Sequence, residues 1–537
     1  MSSSNFVKRF KKQCMVALLA AGMLFGATSA AQAIDFKASG EWLVGFGLGN
    51  AQLASGAGIQ KNDLFTAAQR FRVQLDAVAS ENLSGTLFFE IGTQEWGSNV
   101  NRKGGALGAD GDAVVKVKNA YIDWIVPQTD LKIRMGLQAL SLPNFAGGSA
   151  VMDGDVAAVS ANYQFNDNVG LTAFWMRPIN DNYNGSAKEF GRDSRFLDNI
   201  DFFGITVPLT FEGFEITPWA MYGMIGRNAL DDENGWTGGY SATDGDLQNT
   251  LFAAIPGRGG IYHKFGSKNR AYSDAWFFGL PINVTALDPI NIEFDFNYGY
   301  VAGMGRANIT NYKNWERYGK NNSDARADTQ RQGWLVKALV EYKMDWGVPG
   351  IFGWYASGDD GDVKNGSERM PSVAGAGSFT SFMGCNGTDW WSDAGGTKGL
   401  FYEKNMTYAG TWGIGLQVRD MSFLEDLSHT FRVAYWGGTN STDMVKYVNH
   451  GGAGLGLEEF YDGPYLTTND GLLEFNLDNT YKIYENLSVN LDLGYIVNMM
   501  DRGTWARSWT KQGYDGGGDA FSTHDAWRAQ LTFNYSF

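Results

Sequence analysis

The run Trp527-Arg528-Ala529-Gln530-Leu531-Thr532-Phe533-Asn534-Tyr535-Ser536-Phe537 sorts its side chains into two chemistries. Trp527, Ala529, Leu531, Phe533, Tyr535 and Phe537 form an apolar set, and Arg528, Gln530, Thr532, Asn534 and Ser536 a polar one. Side chains of an extended strand point to opposite faces with a period of two, so this is a strand with one apolar and one polar face. Two architectures use such a strand. A soluble β-sandwich turns the apolar face inward, and a membrane β-barrel turns it outward.

The amino-terminal end favours the second. Lys8, Arg9, Lys11 and Lys12 precede an apolar, small-residue run from Cys14 to Thr28, and Ala31-Gln32-Ala33 supplies a cleavage site. This is the pattern of a secretory signal peptide over 1–33, too short for a spanning helix. Cys14 lies before most of the apolar run rather than after it, which argues against a lipid anchor. Removing the four cations takes the formal charge from −15 to −19, an excess of acid that excludes nucleic acid as a partner. Cys385 alone then remains, so no internal disulfide framework is possible. Seventy glycines and thirty-five phenylalanines beside eleven prolines suit strands and tight turns better than helices.

The alternation recurs along the chain. Ile290, Ile292, Phe294, Phe296, Tyr298 and Tyr300 interleave with Asn291, Glu293, Asp295, Asn297 and Gly299. Phe71, Val73 and Leu75 interleave with Arg70, Arg72, Gln74 and Asp76, and Ile133, Met135 and Leu137 with Lys132, Arg134 and Gln138. Short turns join strands in pairs, at Ser80 to Leu83, Gln128 to Asp130, Leu287 to Pro289 and Glu485 to Leu487. Between pairs the connections are long and rich in Gly, Asn and Asp, as at 94–114, 177–199, 227–269, 359–404 and 438–470. A sandwich has no reason to sort its loops by length, whereas a barrel with one rim on each side of a membrane does.

The predicted fold is therefore an all-β transmembrane antiparallel barrel of about eighteen strands, or about sixteen if the indistinct segments near Ile200 to Val207 and Trp354 are not strands. It occupies 34–537 as one domain. Closing the sheet bonds every backbone amide and removes both edges, and the shared polar face lines a lumen wide enough for water. The first strand, with Phe36, Ala38, Gly40 and Trp42 on one parity, starts too soon after the cleavage site to leave room for a plug domain.

The final strand ending on Phe537 resembles the terminal signature of bacterial outer-membrane barrels, which implies that the barrel assembly machinery recognises Phe537. The connection from Ala139 to Gly154, containing Leu142-Pro143-Asn144-Phe145-Ala146-Gly147-Gly148 and leading into Asp153-Gly154-Asp155, follows the fifth strand. There the chain resembles the trimeric porins, whose third long connection folds into the lumen. Ala120-Tyr121-Ile122-Asp123-Trp124 and Phe352 to Asp360 look most like the homotrimeric porins of sulfate-reducing bacteria. The resemblance implies a homotrimer in the outer membrane of a Gram-negative bacterium, in contact with outer-membrane lipid and lipopolysaccharide. An inward fold sets Asp153 and Asp155 across from Arg70, Arg72, Lys132 and Arg134, and opposed charge at close quarters selects among small polar solutes. The alternative reading of Asp-Gly-Asp is a turn, since it recurs at Asp110 to Asp112, Asp244 to Asp246 and Asp360 to Asp362.

Other candidates are weaker. Asp359, Asp360 and Asp362, followed by Asn365 and Glu368, offer oxygen ligands for a structural calcium, or form a solvated acidic loop; no other cofactor is expected. His263, His429, His450 and His524 are scattered without metal-ligand spacing, and Ser428 and His429 are neighbours that point to opposite faces. No enzymatic site emerges. The function expected is a water-filled porin for passive diffusion of ions and small hydrophilic solutes. The alternative is a substrate-selective channel, for instance for saccharides or organic acids, with Phe88, Phe174, Trp219 and Trp436 as an inward aromatic track. Gly45, Gly47 and Gly49 offer a small-residue strip for close subunit approach, and lumen acids and bases nearly balance with a lean towards cations.

Overall fold

The computed structural model describes residues 34–50, 53–55, 63–97, 115–180, 199–226, 229, 247, 250–253, 272–309, 325–377, 379–383, 407–447, 465–511 and 522–537. Residues 1–33, read above as a signal peptide, lie outside the described residues, as do Cys385, His263 and His450.

Eighteen antiparallel strands close into one barrel. The first nine are β1 (Asp35–Asn50), β2 (Leu64–Ser80), β3 (Leu83–Glu95), β4 (Val115–Ile125), β5 (Lys132–Ser141), β6 (Asp153–Asn166), β7 (Val169–Asn180), β8 (Asn199–Thr206 with Leu209–Phe211) and β9 (Phe214–Ile216 with Trp219–Gly226). The others are β10 (Tyr272–Val284), β11 (Ile290–Val301), β12 (Arg331–Tyr342), β13 (Val348–Ala356), β14 (Thr411–Leu424), β15 (Leu427–Gly438), β16 (Gly471–Tyr484), β17 (Leu487–Asn498) and β18 (Ala526–Ser536). β8 and β9 are each interrupted at a proline, Pro208 and Pro218, which have no amide to give the ladder. Both regions that left the strand count open, Ile200 to Val207 and Trp354, belong to strands, β8 and β13.

The connections sort as the sequence predicts. Glu81-Asn82, Asp167-Asn168, Glu212-Gly213, Glu425-Asp426 and Glu485-Asn486 turn the chain in two residues at one rim. Gly213 (φ 70°) and Asp426 (φ 62°) take the left-handed conformation that tight hairpins require. The opposite rim carries all the long connections, among them a hairpin of Arg306–Ile309 with Ala325–Asp328 and a helix at Arg502–Lys511.

Burial is inverted relative to a soluble protein. Trp334, Ile351, Ile414, Leu416 and Phe431 are exposed on the outer face, while Glu474, Asn476, Gln530 and Thr532 are buried inside. Aromatic side chains ring both ends of the apolar band, with Trp276, Trp334 and Trp412 towards the long loops and Tyr163, Tyr342 and Tyr481 towards the short turns. From Trp334 to Tyr342 the strand runs roughly 27 Å, about 20 Å of height at the usual barrel tilt, most of the ~25 Å apolar band of such proteins. Gly45, Gly47 and Gly49 fall on the inner parity, opposite Thr532, Gln530 and Arg528, so they cannot form a strip for subunit approach. The outward residues of β1 are Trp42, Val44, Phe46 and Leu48.

The barrel closes where β18 meets β1, in register from Glu41 opposite Ser536 to Asn50 opposite Trp527. One more pair extends the seam. Gly40 N donates to the Phe537 carbonyl at 2.9 Å, and Phe537 N donates to the Gly40 carbonyl at 3.0 Å. The Phe537 ring lies over Gly40 and stacks on Phe71 at 6.1 Å and on Tyr535 at 6.0 Å. A Cβ at position 40 would stand 2.5 Å from the Arg72 carbonyl and 2.7 Å from the Phe537 ring. Gly40→Val is therefore expected to destabilise the seam by about 1–3 kcal/mol. The measurement is the midpoint of the heat-induced mobility shift in detergent gels, which should fall; an unchanged midpoint would mean that the seam absorbs the side chain.

Candidate functional site

Two of the long connections fold into the barrel and fix the shape of the lumen. The first is 142–152, between β5 and β6. Its neck is closed by Leu142 N donating to the Met152 carbonyl at 2.9 Å. It crosses to the far wall, where Asp295 on β11 accepts from Phe145 N at 3.1 Å and from Ala146 N at 2.6 Å. Lys337 on β12 donates to the Ala146 carbonyl at 2.5 Å and to the Gly148 carbonyl, and lies 3.5 Å from Asp295. The two side chains are 0 % and 1 % exposed. Trp219 Nε1 holds the Pro143 carbonyl at 3.1 Å.

The second inserted segment spans 367–377 and 379–383, between β13 and β14. It binds the first through Val373 N and Ala374 N, both donating to the Val151 carbonyl, and through Ala376 N donating to the Ser149 carbonyl. Gly147 and Gly148 have φ of 63° and 83°, and a Cβ on Gly147 would meet the Phe379 ring at 2.4 Å. Glycine is thus required where the two loops touch. Farther on, Glu474 Oε1 accepts from Phe382 N and Met383 N at 3.0 and 3.1 Å, Asn476 accepts from Ser381 N, and Arg528 donates to the Ser381 carbonyl. Phe379 stacks on Phe352 at 4.9 Å, and Trp354 meets Trp436 at 4.3 Å.

These loops divide the inner wall. From Asp295 through Lys337, Trp354, Trp436, Glu474 and Arg528 the inward side chains are buried beneath them. On β1–β5 several charged side chains are not, although Thr86, Glu90 and Gln138 are buried there too. Arg72 retains 20 %, Arg134 29 %, Glu41 32 % and Lys132 43 % of side-chain exposure. Among the described residues this is the wall of the lumen left uncovered, and its charges are paired. Arg72 bridges Glu41 at 3.1 Å and Glu90 at 2.8 Å, Lys116 lies 3.6 Å from Glu90, and Arg70 4.0 Å from Glu41. Arg134 clasps Asp123 with two bonds of 2.7 and 2.9 Å and covers the Tyr121 ring at 4.1 Å, with Lys132 3.3 Å from the same carboxylate. Beside them a cavity of about 350 Å³ is lined by Lys132, Arg134, Gln138, Ser160, Asn162, Thr172, Phe174 and the loop residue Pro143. A larger hollow of about 520 Å³ lies against the outer wall at Phe36, Leu75, Leu87, Ile122 and Met135; it is chiefly apolar and has little to orient a polar solute.

The sequence candidates separate accordingly. Arg70, Arg72, Lys132 and Arg134 face the passage. Asp153 and Asp155 do not face them: both belong to the start of β6, where Asp155 opposite Ala139 shares the parity of Ala157 and Val159, turned away from the lumen. Asp155 binds Lys118 at 2.8 Å and Asn119 at 2.8 Å. Arg134 pairs with Ser160, roughly 17 Å along the strand from Asp155. The aromatic track is not a surface a solute can follow, because Trp219 and Trp436 are buried by the loops, although Phe174 lines the cavity. In the acidic loop Asp360 accepts from Asp362 N and Asn365 Nδ2, and Asp362 from Lys364 N, so these carboxylates turn on their own backbone. Burial and the neighbouring Asp359 and Asp360 push Glu368 above its ordinary pKa. Among the described residues no group of three or more His, Cys, Asp or Glu side chains converges as a metal site. His429 bonds Asn479 Oδ1 at 2.7 Å.

No family model matches the sequence, and no curated protein does either. Among solved structures it is similar to Pseudomonas aeruginosa OccK9 (OpdG), 11 % identical over 93 % of this chain and 98 % of that one, with a TM-score of 0.47. It is similar also to Acinetobacter baumannii OccAB3, 10 % identical over 93 % and 99 %, with a TM-score of 0.46. Pseudomonas aeruginosa OpdK, determined with vanillate, is 10 % identical over 93 % and 99 %, with a TM-score of 0.43. Likeness at this level transfers no residue.

The anchoring residues Asp295 and Lys337 were the ones sequence reading missed. The available signal was an acid and a base on inward parity facing each other across β11 and β12. Removing one partner leaves the other charge buried alone, which costs about 3–5 kcal/mol. Lys337→Met is expected to release loop 142–152, raising single-channel conductance and its noise while lowering thermal stability; Lys337→Met with Asp295→Leu should recover much of the stability but not the loop.

Proposed function

We propose that this chain forms an outer-membrane channel for small hydrophilic solutes, and that its inserted loops make it selective rather than a wide general pore. The observation that carries this reading is the division of the lumen. One sector of the inner wall is sealed under two loops bound to each other and to the barrel, and the other is open, water-facing and lined by charge. A barrel of this strand number without such loops would leave a broad aqueous channel.

The composition of the open wall supports a substrate class. Arg70, Arg72, Lys116, Lys132 and Arg134 outnumber Glu41, Asp76, Glu90 and Asp123 by one, although the whole chain carries a net −15. This reverses the lean towards cations given by strand parity alone, because many inward acids, Asp295, Glu341 and Glu474 among them, are buried away from the passage. Organic anions are the solutes this wall favours, their carboxylates meeting guanidinium and ammonium groups while Phe174 and Tyr121 offer apolar contact. Homotrimeric assembly belongs to the same proposal and rests on the resemblance to trimeric porins.

Planar-bilayer recording of purified protein tests these points together. The expected results are ohmic steps in groups of three, a reversal potential in a salt gradient that indicates a modest anion preference, and concentration-dependent block by a small carboxylate. Lys132→Gln with Arg134→Gln should abolish the block and shift the reversal potential towards cations. Steps that no solute blocks would sink the selective reading in favour of general diffusion.

A further inference from the structure

We infer that the cavity between loop 142–152 and the inner wall of β5–β8 is a binding site for polyhydroxylated carboxylates, in which Asn162, Thr172 and Thr206 read the hydroxyl groups. This rests on the selective-channel reading above and narrows its solute from organic anions at large to acids that carry hydroxyls.

The sheet register builds the site. Lys132 lies opposite Asn162, Asn162 opposite Thr172 and Thr172 opposite Thr206, so one rung crosses four strands with an ammonium, an amide and two hydroxyls in line. At the usual strand spacing this rung spans roughly 14 Å. The next rung on the same face, nearer the inserted loop, is Arg134, Ser160, Phe174 and Gly204. All of these side chains line the cavity of about 350 Å³. A Cβ at position 204 would stand 2.1 Å from the Phe174 ring, so glycine is what lets the ring lie against the wall. The loop supplies a roof. Pro143 lines the cavity, its carbonyl is held by Trp219 Nε1 at 3.1 Å, and Trp219 is the ladder neighbour of Thr206. The hydroxyl end is therefore the enclosed one, with Thr206 8 % exposed, and the basic end opens to the lumen, with Lys132 43 % exposed.

Each end keeps groups for its own part of the solute. Lys132 and Arg134 share the single carboxylate of Asp123, so that end retains one positive charge. Arg134 clasps Asp123 through Nε and Nη2, which leaves Nη1 for a second carboxylate, the acceptor that guanidinium groups bind best. Along the rung, Thr172 Oγ1 donates to Asn162 Oδ1, which leaves the Asn162 N–H groups for a solute oxygen. The Thr206 hydroxyl has no protein partner among the described residues. A solute hydroxyl gives it one, whereas a plain aliphatic chain would cover these polar groups and leave them unpaired. That loss is what discriminates against an analogue lacking the hydroxyls. Phe174 offers an apolar face to the carbon chain between the polar contacts. A cavity of this size lies at the lower end of the roughly 300–1,000 Å³ of ligand sites and suits one small molecule.

Single-channel block in planar bilayers tests the site with three probes of equal chain length. Gluconate carries a carboxylate and hydroxyls, hexanoate the carboxylate alone, and glucitol the hydroxyls alone. Gluconate should block the wild-type channel at a concentration at least tenfold below that needed for either of the others. Thr206→Val with Asn162→Leu should bring gluconate to the level of hexanoate, and Thr206→Val alone, an isosteric change, should take it part of the way. Thr480→Val, on β16 across the barrel, removes a hydroxyl that bonds Asn490 and should keep the preference. Equal block by gluconate and hexanoate in wild type, equal block by glucitol, or a preference that survives the double substitution overturns the hydroxyl-reading site and leaves the selective channel standing. Absence of block by either acid overturns the anion-selective reading along with it.

Discussion

Every backbone amide and carbonyl that meets hydrocarbon must find its partner within the sheet. This requirement explains why the first and last strands lie side by side, from Glu41 opposite Ser536 to Asn50 opposite Trp527, with Gly40 and Phe537 adding a final pair. Once the sheet is closed, alternation of side chains leaves one choice of solvent for each face. Apolar residues such as Ile351, Ile414 and Leu416 take the outside, and the polar remainder must be accommodated within.

The interior meets that demand in two ways. Over most of its circumference polar groups are satisfied by protein. Glu474 accepts from two loop amides and from Trp436, and Asp295 with Lys337 occupies amides and carbonyls of loop 142–152. A buried ion pair of this sort is weak evidence for stability, yet it fixes a loop position with little ambiguity because each charge has several required partners. Over β1–β5 the charged groups are satisfied chiefly by one another, as in the Arg72, Glu41 and Glu90 cluster.

The barrel was legible in the sequence because period-two alternation and loop length are local properties that survive folding unchanged. The shared face of Arg72 with Glu90 and of Arg134 with Asp123 follows from the same alternation. Asp155 was misplaced because the inserted loop ends at Met152: the strand β6 already begins at Asp153, and its parity turns Asp155 outward. Trp219 and Trp436 had the right parity but the wrong surroundings, since nothing in their own strands announces that distant loops cover them. The loops carry ordinary residues. Their contacts with Asp295, Lys337 and Asn476 depend on pairings across long sequence separations that no short motif encodes.

The partition between the sealed and open walls also separates two kinds of inheritance. Residues under the loops, Lys337, Glu474 and Arg528 among them, are committed to one another, and a change in any of them disturbs the internal architecture. Those along β1–β5, such as Lys132 and Gln74, are engaged chiefly with an immediate neighbour, Asp123 and Asp76 respectively. On the channel reading proposed above, a lineage can therefore change which solutes pass by editing five adjacent strands, leaving the buried scaffold of the loops intact.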